Sequence, residues 1–168
     1  MQHRPKISLP LTTWDLLSEA ASLALLVILW VFVIRNYALL PDVIPVHFNA
    51  TGQVDRTGNK STLFSLPIIA TVIYFGMTAL NRFSHFFNCI TAVTAENAAR
   101  QYRSATRMLR LLKLAVVLIF FIIVAIVIQT SIQKSGGPGP MLLPVLVFPF
   151  LMLTGWAVFS VGRRKRSA

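Results

Sequence analysis

The chain is short of charge, short of acid and almost without cysteine. Only 12% of its 168 residues are Asp, Glu, Lys or Arg, about half of the roughly 25% of an ordinary soluble domain. Hydrophobic residues make up 55%. That balance points to lipid as the solvent, and so many apolar residues exclude a disordered chain. The lone cysteine, Cys89, excludes an intramolecular disulfide. Also missing are a Gly-rich phosphate loop, a Gly-x-Ser-x-Gly elbow and a His-Glu-x-x-His run, so no familiar enzyme class is indicated and no cofactor is expected. The absence of an internal repeat removes support for a duplicated, inverted-repeat transporter. Five acidic residues stand against 16 basic ones, a formal net charge of +11. What that charge means depends on where the basic residues sit.

Four apolar stretches are present, each near the roughly 20 residues that cross a 30 Å hydrocarbon layer as a helix. They predict an all-α membrane protein with transmembrane helices at about 16–40, 63–82, 111–131 and 141–161. The connections are an ordered outer loop at 41–62 and a segment at 83–110 that leads into helix 3. The first stretch is too long for a signal-peptide core and is followed by Arg35, Asn36 and Tyr37 rather than a small-residue cleavage site. Pro67, Pro144 and Pro149 fall inside spans, which favours a packed bundle whose neighbours satisfy the freed backbone groups. Twelve of the 16 basic residues lie on one side: Arg4 and Lys6, then Arg82, Arg100, Arg103, Arg107, Arg110 and Lys113, then Arg163, Arg164, Lys165 and Arg166. The positive-inside rule makes that side cytoplasmic, with both termini on it, the orientation expected of a multi-pass protein in a plasma membrane.

The outer loop is the least generic part of the chain. Pro41 and Pro45 hold its start extended, and Val46 and Phe48 alternate with His47 and Asn49 as in a half-buried strand. Thr51-Gly52 and Thr57-Gly58-Asn59 supply turn chemistry, and Ser61 or Ser65 is placed to cap helix 2. The run Leu40-Pro41-Asp42, Ile44-Pro45, His47-Phe48-Asn49, Gly52, Asp55, Gly58, Lys60 follows directly on the first apolar helix. In this it resembles the bacterial membrane family numbered 1648 among domains of unknown function, a module that also forms the front of the sporulation-delay toxin immunity proteins. Glu96 to Tyr102, leading into helix 3, also resembles short members of that family. The resemblance implies a bacterial membrane protein with an immunity-like or partner-binding role.

Within the loop, His47, Asn49, Asp55 and Lys60 are the candidates for contact with a ligand or partner. His47 and Asp55 could share a metal or a proton, since an imidazole beside a carboxylate titrates near neutrality. The structural alternative is that Asn49 and Asp55 bond their own backbone and that His47 ends a strand. A zinc site wants three or four ligands, and the loop offers at most His47, Asp55 and Asp42. An EF-hand counted from Asn49 fails at its sixth and twelfth positions, which are Val54 and Lys60. His85 and Cys89, four apart, lack an acid to orient them as a nucleophilic pair.

The segment from Thr94 to Lys113 predicts a cytoplasmic amphipathic helix capped by Thr94. Glu96, Asn97 and Arg100 are its candidate contact residues, with capping and solvation as the alternative. Arg100, Arg103, Arg107 and Arg110 form a basic stripe suited to anionic lipid headgroups; nothing indicates nucleic acid. Glu19 is the one acid expected within a span, one turn in and reaching the interface. The sequence therefore predicts a multi-pass membrane protein whose outer loop recognises a peptide, toxin or protein. A small transporter or channel subunit and a metal-assisted membrane enzyme are the two alternatives.

Overall fold

The computed structural model describes residues 7, 9–83, 94 and 96–163, with 156–163 described by their backbone. Arg4, Lys6, His85, Cys89, Arg164, Lys165 and Arg166 lie outside the described residues. The elements in chain order are α1 (Thr13–Tyr37), β1 (Val43–Phe48), β2 (Val54–Asn59), a 3₁₀ turn (Lys60–Phe64), α2 (Ser65–Asn81), α3 (Ala98–Gln133), a short 3₁₀ turn (Gly139–Met141) and α4 (Leu142–Arg163). The fold is helical with one small antiparallel sheet, β1 against β2, so it is not purely α. Three helical stretches, α1, Lys60–Asn81 and α3, are long and apolar enough to cross a membrane, and α4 is apolar over its described part.

Local sequence explains the ends. Thr12 and Asp15 form a capping box: the Thr12 hydroxyl accepts from the Asp15 N–H and the Asp15 carboxylate accepts from the Thr12 N–H. That starts α1 at Thr13, three residues before the predicted 16. The helix ends at Tyr37 rather than at residue 40, because Leu40 precedes Pro41 and the proline ring disfavours helical backbone there. Neither Ser61 nor Ser65 caps α2. The side chain of Asn59 accepts from the Ser61 N–H and starts the 3₁₀ turn, while Ser65 Oγ donates to the Thr62 carbonyl. Pro67 sits in the first turn of α2, where its missing N–H has no helical partner to lose.

α3 is one continuous helix of 36 residues, about 54 Å at 1.5 Å per residue. The segment before residue 110, expected to be a helix continuous with or bent from helix 3, is continuous with it. Thr94 does not cap it; Asn97 precedes the first helical residue, and its Oδ1 accepts from the Thr94 N–H. α3 is also the central helix, packing against α1, α2 and α4. Its buried face runs through Ala98, Tyr102, Thr106, Arg110, Lys113, Val117 and Val124. The apolar core gathers Leu26, Leu29 and Val33 of α1, Ala70 and Tyr74 of α2, and Val117, Val124 and Ile128 of α3. Trp30 Nε1 donates to Thr71 Oγ1 at 3.0 Å and ties α1 to α2.

Candidate functional site

At one end of the bundle the hairpin is built by proline, bulge and turn chemistry. Its register pairs Val43 with Asn59, Ile44 with Gly58 and Pro45 with Thr57, and then slips on either side of His47. A bulge breaks strict alternation, which changes the predicted inner face. Ile44 is 1% exposed and Pro45 is buried, while Val46 and His47 are exposed. Asn49 organises the tip: its Oδ1 accepts from the N–H groups of Thr51 and Gln53, both at 3.0 Å, and from the Thr51 hydroxyl. This is the local backbone bonding expected of Asn in a turn. His47 Nδ1 lies 2.6 Å from Asp55 Oδ1, with side-chain exposures of 58% and 42%. No third His, Cys, Asp or Glu joins them among the described residues. Lys60 fastens the base of the hairpin, at 3.0 Å from Asp42 Oδ1 and over the Tyr37 ring at 5.4 Å.

The segment 134–140 holds the tip. Val54 N–H donates to the Gly136 carbonyl at 2.8 Å, and Gly139 N–H donates to the Gly52 carbonyl at 3.1 Å. Gly52 and Gly137 take φ of +74° and +126°, and a Cβ on either would collide with the other segment's backbone. Beneath β1, against α2, α3 and α4, lies an apolar cleft of about 270 Å³ lined by Ile44, Val46, Leu66, Ile126, Leu142 and Leu146, with His47 among its lining residues. The Ser-Gly-Gly-Pro-Gly-Pro run at 135–140 is part of this end, although the sequence reading gave it no role. Its clustered glycines and prolines are the signal that marks it.

The opposite end holds a second cluster. Asp15 Oδ1 receives Arg110 Nη1 at 3.1 Å and Arg107 Nε at 3.4 Å. Glu19 receives Arg110 Nε at 3.1 Å on one oxygen and Lys113 Nζ on the other, and Lys113 also donates to Thr78 Oγ1 at 2.8 Å. The Lys113 ammonium sits 4.4 Å from the centroid of the Tyr74 ring. Lys113 is fully buried, Asp15 is 4% exposed and Arg110 7%. This revises two expectations. Glu19, whose side chain is 26% exposed, is bound to α3 besides being open on one side, and Arg110 is withdrawn from any lipid-facing stripe because it pairs with Glu19 and with the buried Asp15 carboxylate. Arg100 and Glu96 are exposed; Asn97 Oδ1 accepts from Gln101 Nε2 as well as from Thr94. Glu96, Asn97 and Arg100 stand at the start of α3, outside both clusters among the described residues. Asp15 escaped the sequence reading. Its signal was available: acids at i and i+4 in α1, Asp15 and Glu19, match basic residues at i and i+3 in α3, Arg110 and Lys113.

Comparison with known proteins bears on the first end. Residues 24–71 match the family described as "Domain of unknown function (DUF1648)". This segment is similar to the DUF1648 family. The chain is 31% identical over 87 residues to an uncharacterized protein of Archaeoglobus fulgidus, a match covering 47% of this chain and 48% of that one, so it spans about half the length of the curated relative it matches. No solved structure matches. The DUF1648 segment contains most of α1, the whole hairpin and the start of α2, with His47, Asn49, Asp55 and Lys60. Asp15, Glu19 and all of α3 lie outside it.

The hairpin yields a discriminating measurement. An exposed ion pair contributes little to stability, so His47→Ala and Asp55→Ala are each expected to change unfolding free energy in detergent by under about 1 kcal/mol. A loss of several kcal/mol would make the pair a structural element of the DUF1648 fold.

Proposed function

We propose that this is a multi-pass membrane protein whose hairpin end recognises a peptide or protein segment with an apolar face. The observation that carries the reading is the apolar cleft under an ordered, clamped hairpin, with the exposed His47–Asp55 pair beside it. A few polar groups at an apolar concavity are what orients a bound segment. The core between the two ends is apolar in its described residues, from Leu26, Leu29 and Val33 to Val117 and Val124, which supports recognition over conduction. The concentration of basic residues from Arg82 to Lys113 and after α4 supports an orientation with those segments cytoplasmic and the hairpin outside. Toxin immunity is the form of recognition that the family resemblance adds.

The test exposes cells lacking the protein, cells carrying it and cells carrying Val46→Asp to a panel of membrane-active peptides. Val46 is exposed and lines the cleft, so a carboxylate there should spare the fold and spoil apolar docking. Protection by the natural chain, lost in Val46→Asp, is the expected result. Equal survival in all three strains removes the recognition role.

A further inference from the structure

The charged cluster does not balance. Three cations, Arg107, Arg110 and Lys113, face two carboxylates, Asp15 and Glu19. A buried charge without a counter-charge is strongly unfavourable, so the excess has to be met where the cluster opens. Among its cations it opens at Arg107, whose side chain is 22% exposed against 9% for Arg110 and 1% for Lys113, beside Glu19 at 26%. One turn before Arg107 stands Arg103, only partly exposed and with no side-chain partner among the described residues. Like charges four apart on a helix repel each other, and nothing acidic among the described residues separates these two.

The depth of this pair follows from α1. Arg107 Nη2 donates to Thr12 Oγ1 at 3.1 Å, so the start of α1 and Arg107 lie at one level. Leu11, Trp14, Leu16 and Leu17 around that level are 57%, 68%, 55% and 56% exposed. Exposed apolar residues with a tryptophan among them mark the boundary between hydrocarbon and headgroups. Arg103, about 6 Å further along α3, then falls among the headgroup phosphates.

We propose that Arg103 and Arg107 together bind the phosphate of an anionic membrane phospholipid, the anion that completes the cluster formed with Asp15, Glu19, Arg110 and Lys113. The proposal narrows the four-arginine stripe of the sequence to one pair and does not depend on what the hairpin end recognises.

Native mass spectrometry of the full chain in detergent tests it, with phosphatidylglycerol, phosphatidylcholine or inorganic phosphate added. Retention of phosphatidylglycerol over phosphatidylcholine is expected, falling about fivefold in Arg103→Gln, the change that corresponds to one basic residue at an anionic surface. Arg103→Lys should keep most of it, and Arg56→Gln in the hairpin should leave it unchanged. Because the Arg103 side chain has no partner to lose among the described residues, the variant should fold; a melting temperature near that of the natural chain checks this. Equal retention of the two lipids, or retention unaltered in Arg103→Gln, would overturn the site. Displacement of the lipid by millimolar inorganic phosphate would overturn the lipid as its ligand.

Discussion

Gly52→Ala is expected to destabilise the protein by about 3 kcal/mol, the sum of a left-handed backbone penalty of roughly 1–2 kcal/mol and the weakening of two hydrogen bonds of about 1 kcal/mol each. The added methyl would lie 1.8 Å from the Gly139 carbonyl oxygen, and backbone cannot move aside as the end of a flexible side chain can. The hairpin tip has to lift from the segment 134–140, breaking the bonds from Val54 to Gly136 and from Gly139 to Gly52. Unfolding by denaturing detergent reads the loss directly. Gly76→Ala provides the contrast: that glycine lies in α2 with nothing within 4 Å of a new Cβ, so a gain on the order of 0.5–1 kcal/mol is expected from helix propensity. If Gly52→Ala were as stable as the natural chain, the two segments would not be clamped together.

Glu19→Gln is expected to cost about 3–5 kcal/mol, the range for removing one partner of a buried ion pair. The loss would arise less from the missing attraction than from Lys113, which is fully buried and would keep Thr78, the face of Tyr74 and a neutral amide oxygen but no counter-charge. The same reasoning predicts that Glu19→Gln combined with Lys113→Met recovers most of the loss, because an apolar side chain at position 113 needs no counter-charge. A double-mutant cycle in detergent separates the two explanations. If the double variant were less stable than Glu19→Gln alone, the lysine would be held by something other than the carboxylate.

How the sequence relates to these two ends differs. The hairpin end was legible because its signals are local: the prolines at 41 and 45, the Asn49 turn and the Gly52 tip act within a few residues of themselves. Even there the inner face was only partly legible: Phe48 packs against the core, but a bulge beside His47 depends on how β2 pairs and leaves Val46 outside and Ile44 within. The clamp to residues 135–140 joins segments more than 80 residues apart, and no local rule reports such a contact. The charged end reads from sequence as an amphipathic helix, with Arg100, Arg103, Arg107 and Arg110 as a basic stripe for anionic lipid headgroups. Helix periodicity shows which residues share a face but not what that face meets.

By itself the sequence determined the mostly helical, apolar character of the chain and roughly where its long helices run. A chain with 55% hydrophobic and 12% charged residues must bury its spans in lipid or in one another, and hydropathy over 20 residues is a local sum that requires no knowledge of the fold. The tertiary structure alone decided what Arg110, Lys113 and Gly52 are for. Arg110 and Lys113 became interior residues because Asp15 and Glu19 pack at their level, and Gly52 became indispensable because another backbone passes beside it. Charge pairing and steric contact act over a few ångströms in space, a distance that the order of residues along the chain does not encode until the helices have packed.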